Sequence, residues 1–119
     1  MGGVAVLKRL SLLMLLSIGV GCSVLTGSQP NDAPHVRGKA VYEKTCLPCH
    51  GAQGKGDGYP FLKPPPADLT SFEVRSKTDT QLLSTIREGH RETAMGAWKV
   101  VLSDEESRHV LAYVRTLTK

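Results

Sequence analysis

At 119 residues, with 15 Lys and Arg against 11 Asp and Glu and a formal net charge of +4, the chain has room for one small domain. Its lysines are scattered and only 5% of its residues are aromatic, which argues against a nucleic-acid surface. A domain of this size buries only a modest core unless something other than protein helps to fill it.

Residues 1–21 carry Lys8 and Arg9, then an apolar run from Leu10 to Val20 interrupted by Ser11, Ser17 and Gly19. A positive start followed by an apolar stretch of that length is the pattern of a secretory signal peptide. It falls short of the roughly 20 apolar residues that a membrane-spanning helix needs. Gly19-Val20-Gly21-Cys22 resembles a bacterial lipobox, with cleavage before Cys22 and lipid on its thiol, although Gly19 stands where leucine is usual. Ordinary signal cleavage at the same place and an uncleaved anchor stay open as alternatives. Lipid on Cys22 would tie the protein to a membrane and account for an odd cysteine in an exported chain. Export to the periplasm or the outer face of the cell membrane is therefore expected. Removal of Lys8 and Arg9 leaves 13 basic to 11 acidic residues. Residues 22–34 are rich in Ser, Thr, Gly, Asn and Pro and read as a flexible tether, with the domain itself spanning 35–119.

A first helix is expected from Val36 to Thr45, because Gly38, Val41, Tyr42 and Thr45 share one face. Gly38 weakens such a helix unless another segment must approach closely there. The helix runs into Cys46-Leu47-Pro48-Cys49-His50. Two thiols three positions apart with an imidazole directly after is the spacing of covalent c-type haem attachment. One turn of backbone brings both sulfurs to the two vinyl groups of a porphyrin and carries His50 beneath the iron. The same thiols could form a thioredoxin-like redox pair, half a zinc site or a disulfide. A redox pair wants a βαβ setting, which no apolar alternation supplies here. Zinc wants a second pair of ligands, whereas His35, His90 and His109 stand singly.

Residues 51–58 hold four glycines and cannot form regular structure. Without a Gly-Lys-Ser/Thr ending or a preceding strand they do not make a nucleotide loop. The proline-rich stretch from Pro60 to Leu69 is expected to be extended. A backbone carbonyl of Pro64, Pro65 or Pro66 is a candidate acceptor for the second ring nitrogen of His50, and Phe61, Leu62 and Leu69 are candidates to line the porphyrin. Thr78 with Gln81 makes a capping box opening a helix, whose apolar side is Leu82, Leu83 and Ile86 and which ends at Gly89. Met95 follows in the small-residue segment Ala94-Met95-Gly96-Ala97, well suited to offer its thioether to a metal. His90 is the rival ligand. A last helix from Ser103 to Leu117 opens with a Ser103–Glu106 capping box and carries an apolar stripe of Val110, Leu111, Val114 and Leu117. Tyr113 is expected to meet the Gly38–Tyr42 surface.

Over residues 36–117 the chain resembles a class I cytochrome c. The likeness rests on Cys46 to Gly51, on Pro66-Ala67-Asp68-Leu69-Thr70, on Met95 with Trp98, and on the final helix with Tyr113-Val114. It implies an all-α cytochrome c fold of three to four short helices packed around one covalently attached haem c, the terminal helices crossing at a glycine and an aromatic. It further implies that Cys46 and Cys49 attach the haem, that His50 is the proximal iron ligand and that Met95 is the distal one. The implied role is that of a one-electron carrier, not an enzyme, between membrane-associated protein redox partners. The alternatives are a haem-based ligand sensor or peroxidase-like enzyme with a labile methionine, and a fixed electron-entry subunit of a larger oxidoreductase.

Overall fold

A computed structural model of the chain describes residues 32–117. The expected leader, Cys22 and the tether up to residue 31 lie outside the described residues. Within them the chain is all-helical: α1 (Pro34–Thr45), α2 (Leu47–His50), α3 (Phe72–Arg75), α4 (Asp79–Glu88), a 3₁₀ turn (Trp98–Val100) and α5 (Asp104–Val114). The three long helices are the expected ones; α2 and α3 are single turns. None of the described helices is long and apolar enough to cross a membrane.

α1 starts two residues before the apolar pattern does, because Pro34 occupies its first position. Proline fits there, since its missing N–H would find no intrahelical partner. The end of the tether is also held: the Asp32 carbonyl accepts from Arg37 Nε and Nη2 at 3.2 and 3.0 Å. α1 passes into α2 through Cys46, whose N–H donates to the Tyr42 carbonyl at 2.8 Å and whose own carbonyl accepts from His50 N at 2.9 Å.

α4 and α5 both open with complete capping boxes, Thr78 with Gln81 and Ser103 with Glu106. Gly89 ends α4 at φ +80°. α5 stops at Val114, three residues earlier than expected, and Arg115 is its C-cap. Its guanidinium donates to Asp79 Oδ1 at 2.7 and 2.9 Å and to the carbonyls of Arg75 and Lys77 at 3.1 and 2.6 Å. One side chain thus ties the end of α5 to α3 and to the start of α4.

The main packing is α1 against α5. Tyr42, Leu102, Val110 and Val114 form a buried cluster, bordered by Cys46, Leu69, Ile86, Trp98 and Leu117. The rings of Tyr42 and Tyr113 lie 5.1 Å apart at 58°, as the sequence led us to expect. Tyr42 is fully enclosed and donates its hydroxyl to the Gly51 carbonyl at 2.7 Å. Burial, with the thiol of Cys46 nearby, pushes that phenol far above its ordinary range, so it stays a donor. The bond fastens the backbone directly after His50 to the helix crossing.

Candidate cofactor site

Inside these helices lies a cavity of about 380 Å³, within the usual range for cofactor and ligand pockets. Cys46, Cys49 and His50 line its floor. Leu62, Ala67 and Leu69 form one side, Leu82 and Ile86 of α4 another, and Val110, Leu111 and Val114 of α5 close it. Met95 and Trp98 complete the wall. The lining is overwhelmingly apolar, which suits a large flat hydrophobic group.

His50 is 9% exposed. Its Nδ1 lies 3.0 Å from the Ala67 carbonyl. A carbonyl only accepts, so Nδ1 carries the proton and Nε2 keeps its lone pair. Burial lowers the basicity of the ring below that of an ordinary histidine, against a smaller opposing effect of the Ala67 bond, so the imidazole is neutral. A neutral imidazole with Nδ1–H bound to a backbone acceptor is the arrangement of a metal ligand. The acceptor is a correction to the sequence reading, which offered Pro64, Pro65 or Pro66. Every residue carries a carbonyl, and no side-chain signal singles out Ala67.

Cys46 and Cys49 are both free thiols. Burial raises the Cys46 thiol, while a contact with Thr45 Oγ1 at 3.4 Å works the other way. Among the described residues no group of three His, Cys, Asp or Glu gathers that could hold a metal ion, so the zinc alternative finds no second ligand pair. The thiols, the imidazole and the cavity suit a porphyrin bonded through both sulfurs: Cys46 and Cys49 would attach it, and His50 Nε2 would meet its iron.

Met95 sits on a loop folded back on itself. The His90 N–H donates to the Met95 carbonyl at 2.9 Å, Thr93 Oγ1 donates to the His90 carbonyl at 2.8 Å, and the Met95 N–H donates to Thr93 Oγ1 at 3.1 Å. Met95 reaches the cavity. His90 lines it too but is exposed, and its Nδ1 lies 3.1 Å from the Arg91 carbonyl. The structure thus gathers Cys46, Cys49, His50 and Met95 around one space, and Cys22 lies outside the described residues. Leu62 and Leu69 line the cavity as expected; Phe61 does not. It is 78% exposed and meets Tyr59 edge to face at 5.8 Å. Leu82 and Ile86, which the sequence reading gives only a packing role, line the site too, as does Trp98, known from the sequence only as part of the likeness beside Met95. The apolar face of α4 and an aromatic three residues past Met95 were the available signals.

This constellation defines a c-type cytochrome domain, with haem c and its iron as the covalent cofactor. The chain belongs to the family described as cytochrome c oxidase, cbb3-type, subunit III, whose pattern it matches over residues 33–114. It is 35% identical over 102 residues to thiosulfate dehydrogenase of Allochromatium vinosum, covering 82% of this chain but 36% of that protein. The chain therefore spans about a third of the length of that curated relative. Among solved structures it resembles a chain of the Kuenenia stuttgartiensis reducing HAO-like protein complex, at 27% identity and TM-score 0.63, over 76% of this chain and 46% of that one. It also resembles the KustC0563 c-type cytochrome, at 26% identity and TM-score 0.55, over 69% of this chain and 98% of that one.

Proposed function

We propose that this protein is a one-electron carrier whose haem iron is held between His50 and Met95. The observation that carries this reading is that one apolar cavity is lined by both thiols, by a neutral buried imidazole and by a thioether. Histidine and methionine together raise a haem potential and leave no coordination position open, so the bound group exchanges electrons and transforms no substrate. The chain's own part is to hold His50 through Ala67, to exclude water with the walls of α4 and α5, and to present Met95 from its folded loop.

The donor and acceptor are protein redox partners. The relatives named above include an oxidoreductase and a redox complex, which favours a second reading of the same chemistry: an electron-entry module working within a larger oxidoreductase. Of four lysines that flank the attachment site in sequence and could steer a partner, Lys39 pairs with Glu43 at 3.7 Å and Lys55 bonds Thr70. Lys44 and Lys63 are exposed and are the better candidates. We further propose export through residues 1–21 and membrane attachment through lipid on Cys22. Mass spectrometry of the mature N-terminus, with Cys22→Ser as control, tests this.

The deciding experiment is the ferric and ferrous absorption spectrum of haem-loaded protein and of Met95→Ala. A low-spin wild type whose weak red methionine–iron band disappears in the variant supports the carrier. A wild type that is already high-spin, or that takes up carbon monoxide readily, overturns it in favour of a sensor or peroxidase.

A further inference from the structure

We propose that Asp68, with Thr70 and Lys55, is a positioning bridge that sets how firmly the Ala67 carbonyl holds the His50 Nδ1–H, and thereby tunes the reduction potential. The proposal rests on His50 being the proximal ligand.

The His50–Ala67 bond joins groups 17 residues apart. Ala67 belongs to no helix or strand, so no ladder of backbone bonds fixes the direction of its carbonyl. The fixing comes from the next three residues. Asp68 Oδ1 accepts from Thr70 N at 2.8 Å and from Thr70 Oγ1 at 2.6 Å. Thr70 Oγ1 in turn accepts from Lys55 Nζ at 2.6 Å. The hydroxyl is thus used in both directions, giving its proton to the carboxylate and its lone pair to the ammonium. Between them, Leu69 N donates to the Gly54 carbonyl at 2.6 Å. From the other side Gly56 abuts the same strand of chain, since a Cβ there would stand 2.3 Å from the Pro66 oxygen. The peptide carrying the Ala67 carbonyl is therefore braced on both flanks by the loop that follows His50.

The bonds from Thr70, helped by Lys55, hold the Asp68 carboxyl below the usual carboxylate range. Asp68 is thus ionised at neutral pH, and its bonds from Thr70 are charge-assisted. Asp68 makes no hydrogen bond to His50; it acts through Ala67. A firm acceptor on Nδ1–H raises the basicity of a metal-bound imidazole, and a more basic imidazole favours the higher oxidation state of the metal. Loosening the bridge should therefore raise the potential.

The test uses the haem-loaded protein with Asp68→Ala, Asp68→Asn and Thr70→Val. The readouts are the midpoint potential and, in the ferrous state, solvent exchange of the His50 ring N–H by NMR. Asp68→Ala and Thr70→Val should raise the ferrous-to-ferric ratio at a fixed applied potential by up to about tenfold, which is 59 mV for one electron, and should speed ring N–H exchange. Asp68→Asn keeps an oxygen for Thr70 and should stay near wild type in both. If Asn shifts the potential as far as Ala does with ring exchange unchanged, Asp68 acts only by its charge and the positioning role is overturned. It is equally overturned if Asp68→Ala and Thr70→Val leave both readouts unmoved. Should Asp68→Ala fail to load haem, Thr70→Val decides alone. Failure of the ligand assignment looks different: the wild type itself would then lack an imidazole N–H shifted by the porphyrin ring current.

Discussion

Gly38 packs directly on the His109 carbonyl: a Cβ built at Gly38 would lie 1.8 Å from that oxygen and 3.0 Å from Tyr113 Cβ. Backbone meets backbone where α1 crosses α5, and only the absence of a side chain permits it. Gly38→Ala should force the helices apart and cost about 2–3 kcal/mol, in the upper range for overpacking. Gly96 is the matched contrast, with nothing within 4 Å of its Cβ position and no positive φ. Gly96→Ala should be neutral or should gain about 0.4–1 kcal/mol by narrowing the unfolded ensemble. Denaturant midpoints of the two variants check both statements.

Tyr42→Phe removes a fully buried hydroxyl and leaves the Gly51 carbonyl without its donor. The expected loss is about 1–3 kcal/mol, the usual cost of an orphaned buried acceptor. Because Gly51 follows His50, the ferric spectrum of this variant should also show a less uniform axial environment. An unchanged melting temperature would contradict the role given to this bond.

Arg115 bonds Arg75 of α3, Lys77 of the turn after it and Asp79 of α4 with its planar fork, a geometry lysine cannot reproduce. Arg115→Lys should therefore destabilise nearly as much as Arg115→Ala, by about 1–2 kcal/mol. Amide hydrogen exchange across residues 72–79 should speed up in both variants. Full rescue by lysine would reduce the interaction to simple charge.

The Glu106 carboxyl is held below its ordinary range by the Ser103 N–H, then by the Ser103 hydroxyl. A depressed folded value means that its contribution is complete above the unfolded value, about 4.3, and is lost as pH falls through the folded one. Wild type should therefore melt higher than Glu106→Gln at neutral pH, the gap closing as acidification protonates the folded carboxylate. Ser103→Ala, which removes the other half of the box, should cost about 1 kcal/mol. A gap independent of pH would mean that the carboxylate charge contributes nothing.

Much of this molecule could be read from its residues. Thr78, Ser103 and Gly89 are local signals acting within one turn of chain, so the limits of α4 and the start of α5 followed from short stretches, whereas Pro34, read as the end of a tether, opens α1. Gly38 and Tyr113 announced the helix crossing because a glycine amid a helical face has few other uses. Chemistry and spacing singled out Cys46, Cys49, His50 and Met95, and all four line the cavity. What escaped depends on distance. α3 is one turn, too short for any periodicity; besides its Ser71 cap it is held by Arg115 some 40 residues on. Phe61 was expected inside because it is apolar; it turns outward against Tyr59. The use of Ala67 in place of three prolines goes with contacts from Asp68, Leu69 and Thr70 to the loop at 54–56, which lie too far apart in sequence for a local pattern to show.

The cavity wall is drawn from almost the whole described chain, from Cys46 on its floor to Val114 on its far side. A chain growing from its N-terminus thus completes the reactive groups early and the enclosure last. Val110, Leu111 and Val114 are the last residues of that wall in chain order, so both thiols and the imidazole lie about sixty residues upstream of the segment that encloses them. Enclosure of the attachment site therefore waits on the packing of α5 against α1, and anything that loosens that crossing uncovers the site as well as the core.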